Sequence, residues 1–177
     1  MQAKNEQILK LFLTALEIEE KGRQFYEQTA KASKNALGKK VFKMLAADEL
    51  MHKKRIKTIY QSLNKAGEWT EDWKKFKIDP EASGKIFKEL KEKHSGNLKV
   101  DAGDLAALEV GIGLEFASIS FYQEQLNQAK DSDEKEFLEQ IVKEEKMHHT
   151  LLSDMKLYLK DPSSWFIEKE RHGLDGA

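Results

Sequence analysis

Apolar residues return every three or four positions along four long intervals of the chain, the period of a helix with one buried side. The first interval, from about Glu6 to Ala32, carries Ile8, Leu11, Ala15, Ile18, Gly22, Phe25 and Thr29 in line. The second, roughly Ala36 to Asn64, carries Val41, Leu45, Ile56, Ile59 and Leu63. A third starts after Asp101 and runs from about Ala102 to Ala129, with Leu105, Leu108, Ile112, Ile119, Tyr122 and Leu126. The fourth, about Asp133 to Leu159, aligns Leu138, Ile141, Leu152, Met155 and Leu159. Both prolines, Pro80 and Pro162, fall outside these intervals. The segment 65–100 contains Gly67, Pro80, Gly84 and Gly96, with a short helix expected over Glu81–Lys93, whereas the other two connections are brief. Brief connections pair neighbouring helices antiparallel, and the long one carries the chain across. The pattern predicts an all-α four-helix bundle of two antiparallel hairpins joined by a long crossover: residues 1–160 form the bundle, 65–100 the connector and 161–177 a C-terminal tail.

An internal repeat sharpens this picture. A shift of 96 positions carries Glu19 to Glu115, Phe25 and Tyr26 to Phe121 and Tyr122, Glu49 to Glu145, and His52 to His148. One hairpin is used twice, so a motif present in each copy predicts a shared centre.

Composition then removes whole classes of chemistry. Cysteine is absent, which excludes disulfides, thiolate nucleophiles and thiolate-held zinc or iron–sulfur clusters. Thirty basic residues balance thirty-one acidic ones, so no large single-signed surface for nucleic acid or anionic lipid is expected, local runs such as KKRIK aside. The N-terminus breaks its apolar run with charge and does not read as a signal peptide, and no stretch approaches twenty uninterrupted apolar residues. The expectation is a cytoplasmic protein that spans no membrane and binds no nucleic acid.

Against that background the polar residues on the inward stripes stand out. Glu19 interrupts the first stripe and Tyr26 follows two turns later; Glu115 and Tyr122 repeat the arrangement. Glu49 with His52, and Glu145 with His148, are spaced by three, which sets each pair side by side on one helix face. Four glutamates facing each other in a core repel and lose hydration. Lys and Arg are not read on the same stripes, and two divalent cations would balance four carboxylates, with one imidazole for each ion. Glu19, Glu49, His52, Glu115, Glu145 and His148 form the ligand set of carboxylate-bridged di-iron and di-manganese bundles. Oxygen-rich ligation with two imidazoles favours iron or manganese, and zinc also fits. The alternative is a bundle that has kept these residues without binding metal tightly.

Tyr26 and Tyr122 read either as core filling or as hydroxyls bonded to a ligand carboxylate. Phe25 and Phe121 read as packing. Asp48 and Glu144, one turn before the histidines, either orient the imidazoles or lie on the surface. His149 flanks the motif, and His94 and His172 have no partner in the pattern. Trp69, Trp73 and Phe76, and Trp165, Phe166 and Ile167, are packing residues or subunit contacts. Gly22, Gly111 and Gly113 within helices allow close helix approach or an opening near the centre.

With these residues in hand, the chain resembles the ferritin-like superfamily, and within it the rubrerythrin-like diiron-carboxylate proteins, over residues 6–160. EEKGRQFY and LEFASISFY are similar to the family segments in which a ligand glutamate precedes an aromatic–tyrosine pair; DELMH and EEKMH are similar to its two Glu-x-x-His segments. The resemblance implies Glu19 and Glu115 as terminal carboxylates, Glu49 and Glu145 as bridging ones, His52 and His148 as nitrogen ligands, and two irons as cofactor. It also implies a non-haem diiron oxidoreductase reducing hydrogen peroxide or dioxygen, with Tyr26 and Tyr122 as candidate catalytic hydroxyls. Two features depart from the family pattern. The four-cysteine, rubredoxin-like domain that passes electrons to the centre in rubrerythrins proper is missing, and Ser118 stands where an additional glutamate is usual. A separate electron-donor protein and a homodimer are the expected partners. Ferroxidase or iron handling, oxidation of an organic substrate, and a purely structural metal staple remain the competing functions.

Overall fold

The computed structural model describes residues 2–82, 84–86, 88, 101–165 and 167. Four long helices dominate: α1 (Gln2–Ala32), α2 (Ala36–Ala66), α3 (Ala102–Gln128) and α4 (Ser132–Lys160). No strand occurs among the described residues. Each boundary has a local cause. Asn35, Asp101 and Asp131 cap the starts of α2, α3 and α4, their side-chain oxygens accepting from the otherwise unpaired amides of the first turn. Gly67 ends α2 in the left-handed conformation, φ 72°, where its amide bonds back to the carbonyl of Leu63. The crossover begins with a short 3-10 helix, Glu71–Lys75. Residues 84–86 are helical, and the rest of the expected Glu81–Lys93 helix, like most of the tail, lies outside the described residues.

α1 lies against α2 and α3 against α4, as the short connections require. Links from Tyr26 to Glu115 and from Tyr122 to Glu19 tie α1 to α3 with opposite chain directions. Two apolar cores fill the bundle. One gathers Tyr26, Phe42, Leu45, Leu108, Leu152, Met155 and Trp165. The other gathers Phe12, Ile56, Ile59, Trp73, Tyr122, Phe137 and Ile141. Along every helix the two cores are separated by the glutamate or Glu-x-x-His positions, so the polar residues form one slab across the middle.

The stripes on α2 and α4 match the periodicity: all ten apolar residues named for them are buried. On α1 the buried face is turned by about one residue. Its centre runs through Ile8, Phe12, Ala15, Glu19 and Tyr26, while Leu11, Ile18, Gly22, Phe25 and Thr29 are half-buried. On α3 only Asp104, Leu108, Gly111, Glu115 and Tyr122 are buried, and Leu105, Ile112, Ile119 and Leu126 stand at the margins. The reason is common to both: Glu19 with Tyr26, and Glu115 with Tyr122, hold the centre of the inward line, so several of the apolar residues in the periodic pattern lie to one side of it.

α3 is also long and apolar enough to cross a membrane by length and composition, and Val110 and Phe116 on its outer side are 51% and 64% exposed. Its inner side nevertheless belongs to the bundle through Leu108, Glu115 and Tyr122. The tryptophans of the connector and tail, Trp69, Trp73 and Trp165, pack within the chain. Trp73 meets Phe137 edge to face, Trp69 meets Phe12, and Trp165 meets Tyr158. Phe76 is half-buried, Ile167 is exposed, and Phe166 lies outside the described residues.

Gly111 sits where α3 comes close to Leu152 of α4 and Tyr26 of α1. A Cβ there would sit 3.1 Å from Leu152 Cδ1 and 3.4 Å from the Tyr26 ring. Gly111→Leu is expected to destabilise the bundle by about 1–3 kcal/mol through overpacking. Urea unfolding followed by circular dichroism checks this, and a midpoint equal to that of the parent would refute it.

Candidate metal centre

Glu19 from α1, Glu115 from α3, Glu49 and His52 from α2, and Glu145 and His148 from α4 converge in the polar slab, all of them buried. Two overlapping sets of donors form. Glu19, Glu49, His52 and Glu145 place one ligand atom each within 4.8 Å of one another, and so do Glu49, Glu115, Glu145 and His148. Glu49 and Glu145 belong to both sets, the position from which a carboxylate bridges two ions. His52 Nδ1 lies 3.1 Å from Glu19 Oε2, 3.1 Å from Glu145 Oε1 and 3.5 Å from Glu49 Oε2. His148 Nδ1 lies 3.7 Å from Glu115 Oε2, 3.7 Å from Glu145 Oε2 and 3.8 Å from Glu49 Oε1.

The surrounding groups aim these donors. Tyr26 donates its hydroxyl to Glu115 Oε1 and Tyr122 donates to Glu19 Oε1, leaving the other oxygen of each carboxylate toward the centre. Both imidazoles present Nδ1 inward and donate outward from Nε2, His52 to Glu144 at 3.1 Å and His148 to Asp48 at 3.2 Å. Asp48 and Glu144 therefore serve the histidine of the opposite helix, not the one that follows them in sequence. A carboxylate behind a ligating imidazole fixes its tautomer and ring orientation. Phe25 and Phe121 pack edge to face on Tyr26 and Tyr122. His149 is half-buried beside the motif, and His94 and His172 lie outside the described residues.

Arg55 is the residue that the pattern did not reveal. It is buried, whereas the sequence reading places no Lys or Arg on the inward stripes, and it donates to Glu144 Oε2 and to the carbonyl of Phe76. In sequence it sits inside KKRIK and looks like part of a solvated charge run. Its i+3 spacing from His52 was the available signal, since a long guanidinium can enter from the edge of a stripe.

Crowded charge dominates the electrostatics. Burial lifts the Glu49 carboxyl well above its ordinary value, and Glu19 and Glu145 lift it further. Burial together with Glu145 pushes Glu115 up to about 8. Burial acts to discharge the imidazoles, but Glu19 and Glu145 raise His52, and Asp48 and Glu115 raise His148, well above the usual histidine range. Burial also opposes the charge of Glu145, yet the two histidines hold that carboxyl below the ordinary range. A cluster of this kind has to take up protons or cations.

The donor set fits cations. Glu115 Oε2, both oxygens of Glu145 and His148 Nδ1 are buried with no hydrogen-bond partner. Buried polar atoms are rarely left bare, and these converge on common points. Six oxygen and nitrogen donors, two of them shared, suit a pair of divalent first-row ions. The arrangement can hold two divalent ions at neighbouring positions, with the hydroxyls of Tyr26 and Tyr122 and the two imidazoles as proton-bearing groups around them.

A family model described as rubrerythrin matches residues 10–156. No curated protein and no solved structure matches the chain.

Glu49, Glu115 and both imidazoles bind protons more tightly when folded than when unfolded, so the stability they contribute is present at low pH and is lost as pH rises. For Glu115 the window runs from 4.5 to about 8. Glu144, held down to about 2 by His52 and Arg55 against the cost of burial, opposes this trend only below its unfolded value of 4.5. The metal-free protein is expected to lose thermal stability between about pH 5 and about pH 8, with the loss reduced by excess Mn²⁺, which replaces the protons. Melting curves across that range, with chelator or with Mn²⁺, test it; a metal-free protein that gains stability with pH contradicts it.

Proposed function

The chain belongs to the rubrerythrin family, and on that premise we propose that it is a non-haem diiron oxidoreductase that reduces hydrogen peroxide or dioxygen. The observation that carries this reading is the route to the centre. A cavity of about 140 Å³ in the groove between α1 and α3, lined by Ile18, Lys21, Gly22, Tyr26, Glu49, Leu114, Glu115, Ala117 and Ser118, reaches two of the candidate ligands. Sites for drug-sized organic molecules have roughly 300–1,000 Å³, whereas a water occupies about 30 Å³. The cavity therefore favours an oxidant of two heavy atoms over an organic substrate.

The residues divide the work. Glu19, Glu49, His52, Glu115, Glu145 and His148 would hold the two ions. Such a pair in the ferrous state supplies two electrons, which with two protons convert one hydrogen peroxide to two waters. Gly22 leaves the space beside Glu49 unfilled: a Cβ there would already be in van der Waals contact, 3.4 Å from Glu49 Cδ, and a longer side chain would occupy the cavity. Ile18, Leu114 and Ala117 give the passage apolar walls that limit water. Burial and Glu115 raise Tyr26 well above the ordinary phenol value, and burial and Glu19 do the same for Tyr122. Both tyrosines stay protonated at neutral pH and keep Glu115 and Glu19 oriented. The 177 residues contain no cysteine, so we assign the supply of electrons to a separate donor protein. We further propose a cytoplasmic homodimer. Trp69, Trp73 and Trp165 pack internally, and Val110 and Phe116, exposed together on the outer side of α3, are the contact we assign to it.

Anaerobic reconstitution with ferrous iron is expected to load two irons per chain, and stoichiometric peroxide to oxidise them faster than dioxygen does, followed optically. Fewer than two irons under all conditions would sink the reading, and faster oxidation by dioxygen would favour ferroxidase chemistry. Gly22→Leu, which fills the cavity, is expected to slow peroxide oxidation about tenfold, some 1.4 kcal/mol of barrier, with the rate expressed per bound iron. Sedimentation of the protein from the soluble cytoplasmic fraction should return twice the chain mass, and Phe116→Glu should return it to the monomer; a parent protein of single chain mass rules out the dimer.

A further inference from the structure

The two halves of the centre are built from one repeated hairpin, and they match at 96-residue spacing at every ligand, both tyrosines, and the Asp48–Glu144 pair. Among the positions where the match fails, two touch a carboxylate that backs a histidine. Arg55 corresponds to Leu151, and Gln140 corresponds to Met44. Both differences act on one carboxylate, the one behind His52. Glu144 Oε1 accepts from Gln140 Nε2 at 2.7 Å, and Glu144 Oε2 accepts from Arg55 as well as from His52. Arg55 is itself anchored, donating from Nε to the carbonyl of Phe76 at 2.6 Å, with its guanidinium 6.0 Å from the Trp73 ring centroid. His52 thus stands at the end of a chain of contacts that starts in the connector backbone. On the other side, His148 rests on Asp48, one methylene shorter and with a side chain 14% exposed, and the matching positions Met44 and Leu151 have no N–H or O–H to offer it.

A second observation points the same way. Divalent first-row ions hold nitrogen and oxygen at about 2.1 Å, which places adjacent octahedral ligand atoms about 3 Å apart. The donors around His52 Nδ1 already stand at 3.1, 3.1 and 3.5 Å, whereas those around His148 Nδ1 stand at 3.7, 3.7 and 3.8 Å. A site whose donors are pinned near their final separation gives up less freedom when an ion arrives.

Resting on the dinuclear reading above, we propose that the His52 half is the preformed half and takes the first cation, and that Arg55, acting through Glu144, is the positioning residue that sets this order. His148, with Glu115 and the shared carboxylates, closes on the second ion once the first has fixed Glu49 and Glu145.

Titration of the metal-free full chain with Co²⁺, followed by calorimetry and by the visible ligand-field bands, tests this without any turnover. The parent is expected to bind in two steps, the first at least about tenfold tighter, in line with the effect of partners behind a ligand. His52→Ala should abolish the tight step and His148→Ala should keep it. Arg55→Leu, which installs the residue of the matching position, should weaken the first step about 10–100-fold toward the second and leave helix content unchanged. Arg55→Lys, keeping the charge without the planar fork, should restore it only in part. Two equal steps in the parent, a tight step that survives His52→Ala, or an unchanged first step in folded Arg55→Leu would each overturn the proposal. Should Arg55→Leu fail to fold, the two histidine variants decide alone. Binding of no cobalt would overturn the dinuclear reading with it, whereas two equal sites would leave that reading standing.

Discussion

Four carboxylates, Glu19, Glu49, Glu115 and Glu145, face one another in an interior that excludes water, and the rest of the bundle is arranged around that repulsion. Isolated charges in such a place cost several kcal/mol each after relaxation, so the cluster persists only with positive partners. His52 and His148 provide part of that compensation, and protons or cations provide the remainder. The slab also explains the division of the apolar interior into two cores. Each helix changes from greasy to polar and back again at the same level.

The antiparallel pairing of equivalent helices gives the centre its economy of parts. Because α1 runs against α3, Tyr26 of one repeat reaches the glutamate of the other, and Tyr122 does the reverse. α2 and α4 exchange Asp48 and Glu144 behind each other's histidine in the same way. Each of these four direct contacts therefore comes from a helix other than the one that carries the ligand. A displacement of either hairpin would disturb donors on both sides, which couples the geometry of the centre to the packing of the whole bundle.

Family membership defines the scaffold and the class of centre, and a scaffold of this kind supports several chemistries. The reading we propose among them rests on the small cavity beside Gly22, which borders Glu49 and Glu115. Departures from the repeat matter too. Arg55 and Gln140 surround Glu144 on one side only, so two halves descended from one hairpin are held with different firmness.

Helical period, the 96-residue repeat and the paired Glu-x-x-His spacing were all written in the chain. They determined four helices to within a few residues of their ends, the two-hairpin topology and the six residues that meet in the middle. These are properties of local spacing, and spacing of three on a helix places two side chains together whatever the surroundings. The turned face of α1 escaped because Phe12, Glu19 and Tyr26 alternate apolar and polar character along a single buried line. Only the tertiary structure decided which histidine each of Asp48 and Glu144 serves, since both partners lie about a hundred residues away. It alone brought Arg55 out of an apparent surface run and onto Glu144, because a long flexible side chain can point either way and the packing of α2 against α4 and the connector chooses.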